Sequence, residues 1–101
     1  VREALGGEIH ICPGGSDEIR TVGIITGGAG GEIAKVAALG VDAFVTGEGP
    51  HWSFTLAEEL GVNVFYGGHY ATETFGVQSL ARNLGDRYGL PWRFVDHPTG
   101  M

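Results

Sequence analysis

Two histidines and two glutamates carry most of the chemistry this sequence offers. His69 and Glu73 stand four positions apart in GGHYATE (67–73), and Glu48 and His51 stand three apart in TGEGPHW (46–52). Imidazole nitrogen and carboxylate oxygen are both good ligands for borderline divalent ions such as Zn, Fe, Mn or Co. On a helix, His69 and Glu73 share one face and can point at a single ion. The same spacing equally describes a solvated ion pair, or a histidine at a helix start with a glutamate set against the helix dipole. Glu48 has the chemistry of a general base or of a group that polarises a metal-bound water, and His51 can shuttle protons near neutral pH. Structural readings stand beside these: Glu48 can brace its loop, and Pro50 with His51 can open a helix.

The elements that position these residues are legible as a repeat. LGVDAFVTGE (39–48) and LGVNVFYGGH (60–69) align without a gap, each a helix end, a tight turn, an apolar strand and a glycine. A third such strand is the β-branched run Thr21–Thr26, stopped by Gly27 and Gly28. Helices are expected between them: one with Ile33, Val36, Ala37 and Leu39 on its apolar face and Gly40 as its C-terminal glycine, and one over residues 51–60 closed by Gly61. A last helix carries Val77, Leu80, Ala81, Leu84 and Tyr88 at a period near 3.6, which predicts one core-facing side. Glu8–Cys12 reads as an edge strand followed by the polar turn PGGSDEIR (13–20), and Trp92–Asp96 as a final strand. The class is α/β: repeated βα units forming a largely parallel sheet with flanking helices, on both faces or mostly on one.

That architecture brings separated residues together. In an open parallel sheet, ligands bind beyond the carboxyl ends of the strands, where the following helix N-termini point their N–H groups inward. The rule selects TGGAGGE (26–32), TGEGPHW and GGHYATE, so Glu48, His51, His69 and Glu73 are expected on one edge. TGGAGGE has glycines enough to cradle an anion. It lacks the Lys-Ser/Thr ending of a P-loop, however, and Ile33 occupies the last glycine position of the dinucleotide fingerprint. Trp52, Phe54, Tyr66, Tyr70 and Phe75 lie nearby in sequence and read as core more readily than as a stacking platform. His10, His97 and Cys12 receive no role.

Composition bounds the rest. The chain has 101 residues, 43% apolar and 18% charged, which suits a single folded domain. A formal net charge of −6 with only six Lys and Arg argues against a nucleic-acid surface and for a cation as partner. Cys12 is the lone cysteine, so no internal disulfide is expected and the default compartment is the cytoplasm. No apolar stretch approaches a membrane span, and no charged-then-apolar leader opens the chain. Val1-Arg2-Glu3 reads as the middle of a longer polypeptide.

VGIITGGAG (22–30), GVDAFVTGEGPHW (40–52), GGHYATETFGVQSLA (67–81) and the closing FVDHPTG (94–100) together resemble the C-terminal half of the Nif-three-like dinuclear metal centre proteins. That family often carries the description GTP cyclohydrolase I type 2 homologue. The resemblance runs from about Leu5 to His97, and its specificity lies in the ordered set of strand-end motifs. It implies two similar α/β domains, a toroidal homohexamer, and two divalent ions per full-length subunit in the cleft between the domains. It places metal ligands on His69 and Glu73 and sets Glu48 beside the cleft. The family's other ligands, a His-His pair and an Asp, belong to an N-terminal half that has no counterpart here. The resemblance thus implies an incomplete site and a missing N-terminal domain. It also implies a metal-dependent hydrolase or cyclohydrolase acting on a nucleotide-like or phosphorylated small molecule; the alternative is a non-catalytic metal-binding hexameric assembly or protein-interaction module.

Overall fold

Three short parallel strands, with a fourth running against them at one edge, form the sheet on which the rest of the chain is placed. The computed structural model describes residues 1–100. In chain order the elements are α1 (Arg2–Leu5), β1 (His10–Pro13), β2 (Val22–Ile24), a 3₁₀ turn at Ala29–Glu32 leading into α2 (Ile33–Ala38), β3 (Ala43–Thr46), α3 (Ser53–Leu60), β4 (Asn63–Tyr66) and α4 (His69–Tyr88). The strands lie in the order β1-β4-β3-β2, with β2, β3 and β4 parallel and β1 antiparallel to β4. The α/β class and its repeated βα units are therefore the fold of this chain. Gly40 and Gly61 take left-handed φ values of 73° and 70° where α2 and α3 end, the conformation only glycine adopts cheaply.

Strand register divides the apolar residues between two faces. Gly23, Phe44, Val64 and Cys12 are aligned in one row across the sheet, and Ile24, Val45, Phe65 and Ile11 in the next. The first row meets α2 and α3: Cys12, Ile33, Val36, Phe44, Ala57, Val62 and Val64 form the buried core. Fully burying side chains such as Phe44, Ile33 and Val64 is worth about 1.5–3 kcal/mol each. The second row is bordered only by α1 and the first turns of α4, through Ala4, Leu5, Thr72 and Phe75, and Ile24 and Ile11 remain 69% and 43% exposed. Of the two arrangements the sequence allowed, helices lie mostly on one face.

Three expectations are corrected. The apolar stripe of α4 is not core: Val77, Leu80, Leu84 and Tyr88 are all exposed, and Thr72 is the buried residue of that helix. The reason is length. A helix of 20 residues runs about 30 Å, whereas strands of four residues or fewer reach about 13 Å, so α4 projects past the sheet after its first turns. Leu39, at the very end of α2, likewise points into solvent. Trp92–Asp96 forms no strand. Gly89, left-handed at φ 65°, ends α4, and the chain folds back along that helix, seating Trp92 against the flat spot left by Gly85. No helix among the described residues is long and apolar enough to cross a membrane.

Entry into β2 depends on one carboxylate. Asp42 Oδ2 accepts hydrogen bonds from the Arg20 and Thr21 amides at 2.9 and 2.8 Å and from the Thr21 hydroxyl at 2.8 Å. These donors, the Arg20 amide first, hold its carboxyl below the usual carboxylate range. A lowered folded value means the stabilisation is present above the ordinary value near pH 3.9 and is lost as pH falls through the folded value. Asp42→Ala is therefore expected to lower the melting temperature at pH 7, with the difference from wild type shrinking in melts at pH 3. An equal deficit at both pH values would refute this account.

Candidate metal centre

The carboxyl ends of β2, β3 and β4 are stitched together by backbone hydrogen bonds. The Gly47 and Glu48 amides donate to Gly27 O at 2.9 and 3.1 Å, and the Gly67 and Gly68 amides donate to Thr46 O and Gly47 O, each at 2.9 Å. Two buried threonines complete the seam. Thr46 Oγ1 donates to Gly27 O at 3.1 Å, and Thr72 Oγ1 accepts from the Gly27 amide at 3.0 Å. Further along the loop, the Gly30 amide donates to Glu48 O at 2.9 Å. Gly30 crosses directly over Gly49, where a β-carbon on either residue would collide with the other's backbone and with the Tyr66 hydroxyl.

Glu48 thus leaves this seam with its backbone fixed on both sides, and its carboxylate meets His69. Nδ1 of His69 lies 2.7 Å from Glu48 Oε1, and Nε2 lies 3.4 Å from Glu73 Oε1. The Glu48 hydrogen bond, reinforced by the charges of Glu73 and Glu48, raises the imidazole above its ordinary value. Gly27, at φ +71°, lies directly beneath the pair: a β-carbon there would strike Glu73 Oε1 and press on His69 Nε2. Glu48, His69, Tyr70, Glu73 and Thr99 line a hollow of about 330 Å³.

The donors suit a divalent ion in kind. A neutral imidazole Nε2 and a carboxylate oxygen are standard ligands, and two ligands about 2.1 Å from one ion in tetrahedral array are about 3.4 Å apart. Among the described residues, no group of three or more His, Cys, Asp or Glu side chains is arranged to hold an ion. Two donors fit the chemistry without completing a coordination shell, which for zinc numbers about four.

Of the four residues singled out in the sequence, the structure brings Glu48, His69 and Glu73 together and leaves His51 apart. His51 lies in an adjoining cavity of about 230 Å³ with His10, Cys12, Pro50, Ser53, Phe54 and Tyr66, and Glu48 borders both spaces. In that cavity Ser53 Oγ donates to Pro50 O, which uses its single proton, so the Tyr66 hydroxyl is the donor in the 2.5 Å contact with Ser53 Oγ. The aromatics read as core are mostly not so: Trp52, Phe54 and Phe75 are 46%, 37% and 51% exposed. Thr72, Gly27 and the Tyr70 hydroxyl were missed. Only the crowding of glycines at 27–31 hinted at the close approach under the His69–Glu73 pair.

A sequence profile of the Duf34/NIF3 (NGG1p interacting factor 3) family matches residues 1–99. The chain belongs to this family. Among relatives, the GTP cyclohydrolase 1 type 2 homolog of Deinococcus radiodurans is 46% identical to this Duf34/NIF3 chain over 100 residues, which are 98% of this chain and 38% of that protein. The crystal structure of TTHA1606 from Thermus thermophilus matches with a TM-score of 0.91 at 46% identity, over 99% of this chain and 40% of that one. Protein ybgI, of unknown function, matches with the same TM-score of 0.91 at 33% identity, over 97% of this chain and 40% of its own. This Duf34/NIF3 chain therefore spans about two fifths of the length of the relatives it matches.

Proposed function

We propose that His69 and Glu73 belong to a divalent-metal site, and that the whole protein uses a pair of such ions to hydrolyse, or open a ring of, a nucleotide-like or phosphorylated small molecule. The observation that carries this reading is the division of His69 between two partners: Nδ1 is held by Glu48 while Nε2 is turned to Glu73. Metal-bound histidines regularly donate their second ring N–H to a carboxylate, which fixes the tautomer and raises the basicity of the ligating nitrogen. Glu48 orients His69 in this role, and the same contact lets it exchange a proton with Nδ1 without moving. His51 lines the neighbouring cavity with Glu48 and, in this reading, is the group that passes a proton to a molecule held there. The chemistry a bound divalent pair supplies is activation of water near neutral pH and neutralisation of developing charge. The remaining ligands would come from outside this chain, from the part of the full-length relatives that it does not cover. The relatives' name, GTP cyclohydrolase 1 type 2 homolog, supports a nucleotide as the first substrate class to try.

The open sheet face and the uncovered stripe of α4 favour a second reading, a metal-binding hexameric assembly that the cell uses for its surfaces rather than for turnover. Metal-dependent turnover of GTP and related compounds by the full-length protein, lost in Glu48→Gln, would support the enzyme; bound metal with no turnover across such a panel would support the assembly. For the 101-residue chain itself, Co(II) titration followed through the His69 ring resonances is expected to give weak binding of at most one equivalent. Glu48→Gln should weaken it by about 10–100-fold, the usual cost of removing an outer partner of a ligating histidine. Tight binding of two equivalents would sink the half-site proposal.

A further inference from the structure

The closing motif FVDHPTG (94–100) reaches the site through Thr99, which lines the hollow beside His69 and Glu73. We infer that Thr99, carried by the docked segment Asp96–Thr99, forms one wall of the hollow containing His69 and Glu73, and that Tyr70 is the positioning residue that holds this segment in place. The path of the chain begins at Gly89, where α4 ends, and returns along the helix with Trp92 seated on Gly85. At the first turn of α4 it meets the Tyr70 hydroxyl, which is used on both sides. The His97 amide donates to Tyr70 Oη at 2.7 Å, and Tyr70 Oη donates to Asp96 Oδ1 at 2.8 Å. A phenol has one proton, so this accept-and-donate pair fixes its orientation as well as its distance.

Beyond this double anchor the chain has little freedom. Pro98 has a fixed φ, and the residue before a proline is pushed to extended backbone, so His97–Pro98 continues straight and delivers Thr99 to the hollow shared with Glu48, His69, Tyr70 and Glu73. On the other side of the segment, Phe94, Asp96 and Pro98 line a groove with Ala71 and Phe75 of α4. Tyr70 follows His69 directly, and adjacent helical residues diverge by about 100°. Its ring therefore acts through the segment and not as a further ligand.

The geometry stands without a metal; its functional meaning rests on the metal reading above. The test is the rate at which diethylpyrocarbonate acylates His69 at one fixed pH, read by peptide mass spectrometry, with His10 and His51 as internal controls. Wild type is compared with Tyr70→Phe, with a chain ending at Asp96, and with the two changes combined. Losing both hydrogen bonds shifts the docking equilibrium by about tenfold. Tyr70→Phe should therefore speed His69 acylation, as should the truncation, and the combination should be no faster than the truncation because both act through one contact. The control histidines should keep their rates. A wild-type His69 rate in Tyr70→Phe, effects that multiply in the combined variant, or control rates that rise with His69 would each overturn the proposal. Co(II) titration of wild type separates the two ideas: no binding rejects the metal reading while the acylation rates still decide whether the wall exists.

Discussion

Replacing His69 with alanine is expected to abolish detectable Co(II) binding by this chain, a loss of more than about 100-fold given that removing even an outer partner costs about 10–100-fold. The same substitution should also remove a pH dependence of two opposite signs. In the metal-free chain His69 sits between Glu48 and Glu73, and its protonated form is favoured by both. A raised folded value means that its contribution to stability is fully present below the ordinary value near 6.5 and is lost as pH rises through the folded value. Metal needs the neutral imidazole, so affinity should climb with pH through that same range. Melting temperatures across pH 5 to 8, with and without Co(II), read both slopes. Wild type and His69→Ala giving the same pair of curves would remove His69 from the site.

Phe44→Ala is expected to cost about 3–5 kcal/mol, enough to leave much of the chain unfolded at room temperature. Phe44 is fully buried at the middle of β3, aligned with Gly23 and Val64, and packs in the cluster with Ile33, Val36 and Ala57. It is the largest of the fully buried side chains, and the layer it fills is the main one this chain builds by itself. Ile24, one residue over in the next row, is the matched control: at 69% exposure, Ile24→Ala should fall within about 0.5 kcal/mol of wild type. Urea melts of the two variants settle the comparison. Equal losses would mean that the open face is covered in solution.

What the sequence disclosed followed from repetition. The two aligned segments ending at Glu48 and His69 made β3 and β4 legible with their following helices, and the strand-end rule then put Glu48, His51, His69 and Glu73 on one edge, of which the structure gathers all but His51 around one hollow. What it withheld are relations that no local pattern encodes. Periodicity in α4 says that Val77, Leu80 and Leu84 share a side, not that a partner for that side lies within these residues. An apolar run such as Trp92–Val95 reads the same whether it pairs at a sheet edge or lies along a helix; Gly85 decided for the helix by leaving room for an indole. Glu48 and His51 are near neighbours in sequence, yet one turns to His69 and the other to the adjoining cavity. Neither the donor set of His69 nor the double use of Tyr70 could be read without distances.

The crossing of Gly30 over Gly49 has a mechanical consequence. With the Tyr66 hydroxyl packed beneath it and the Gly30 amide bonded to Glu48 O, it works as a lap joint between the loops after β2 and β3. Neither loop can swing alone, because each is the other's stop. The base of the site is thus a rigid plate, and Glu48 and Gly27 keep their places beneath His69 and Glu73 because the two loops brace each other.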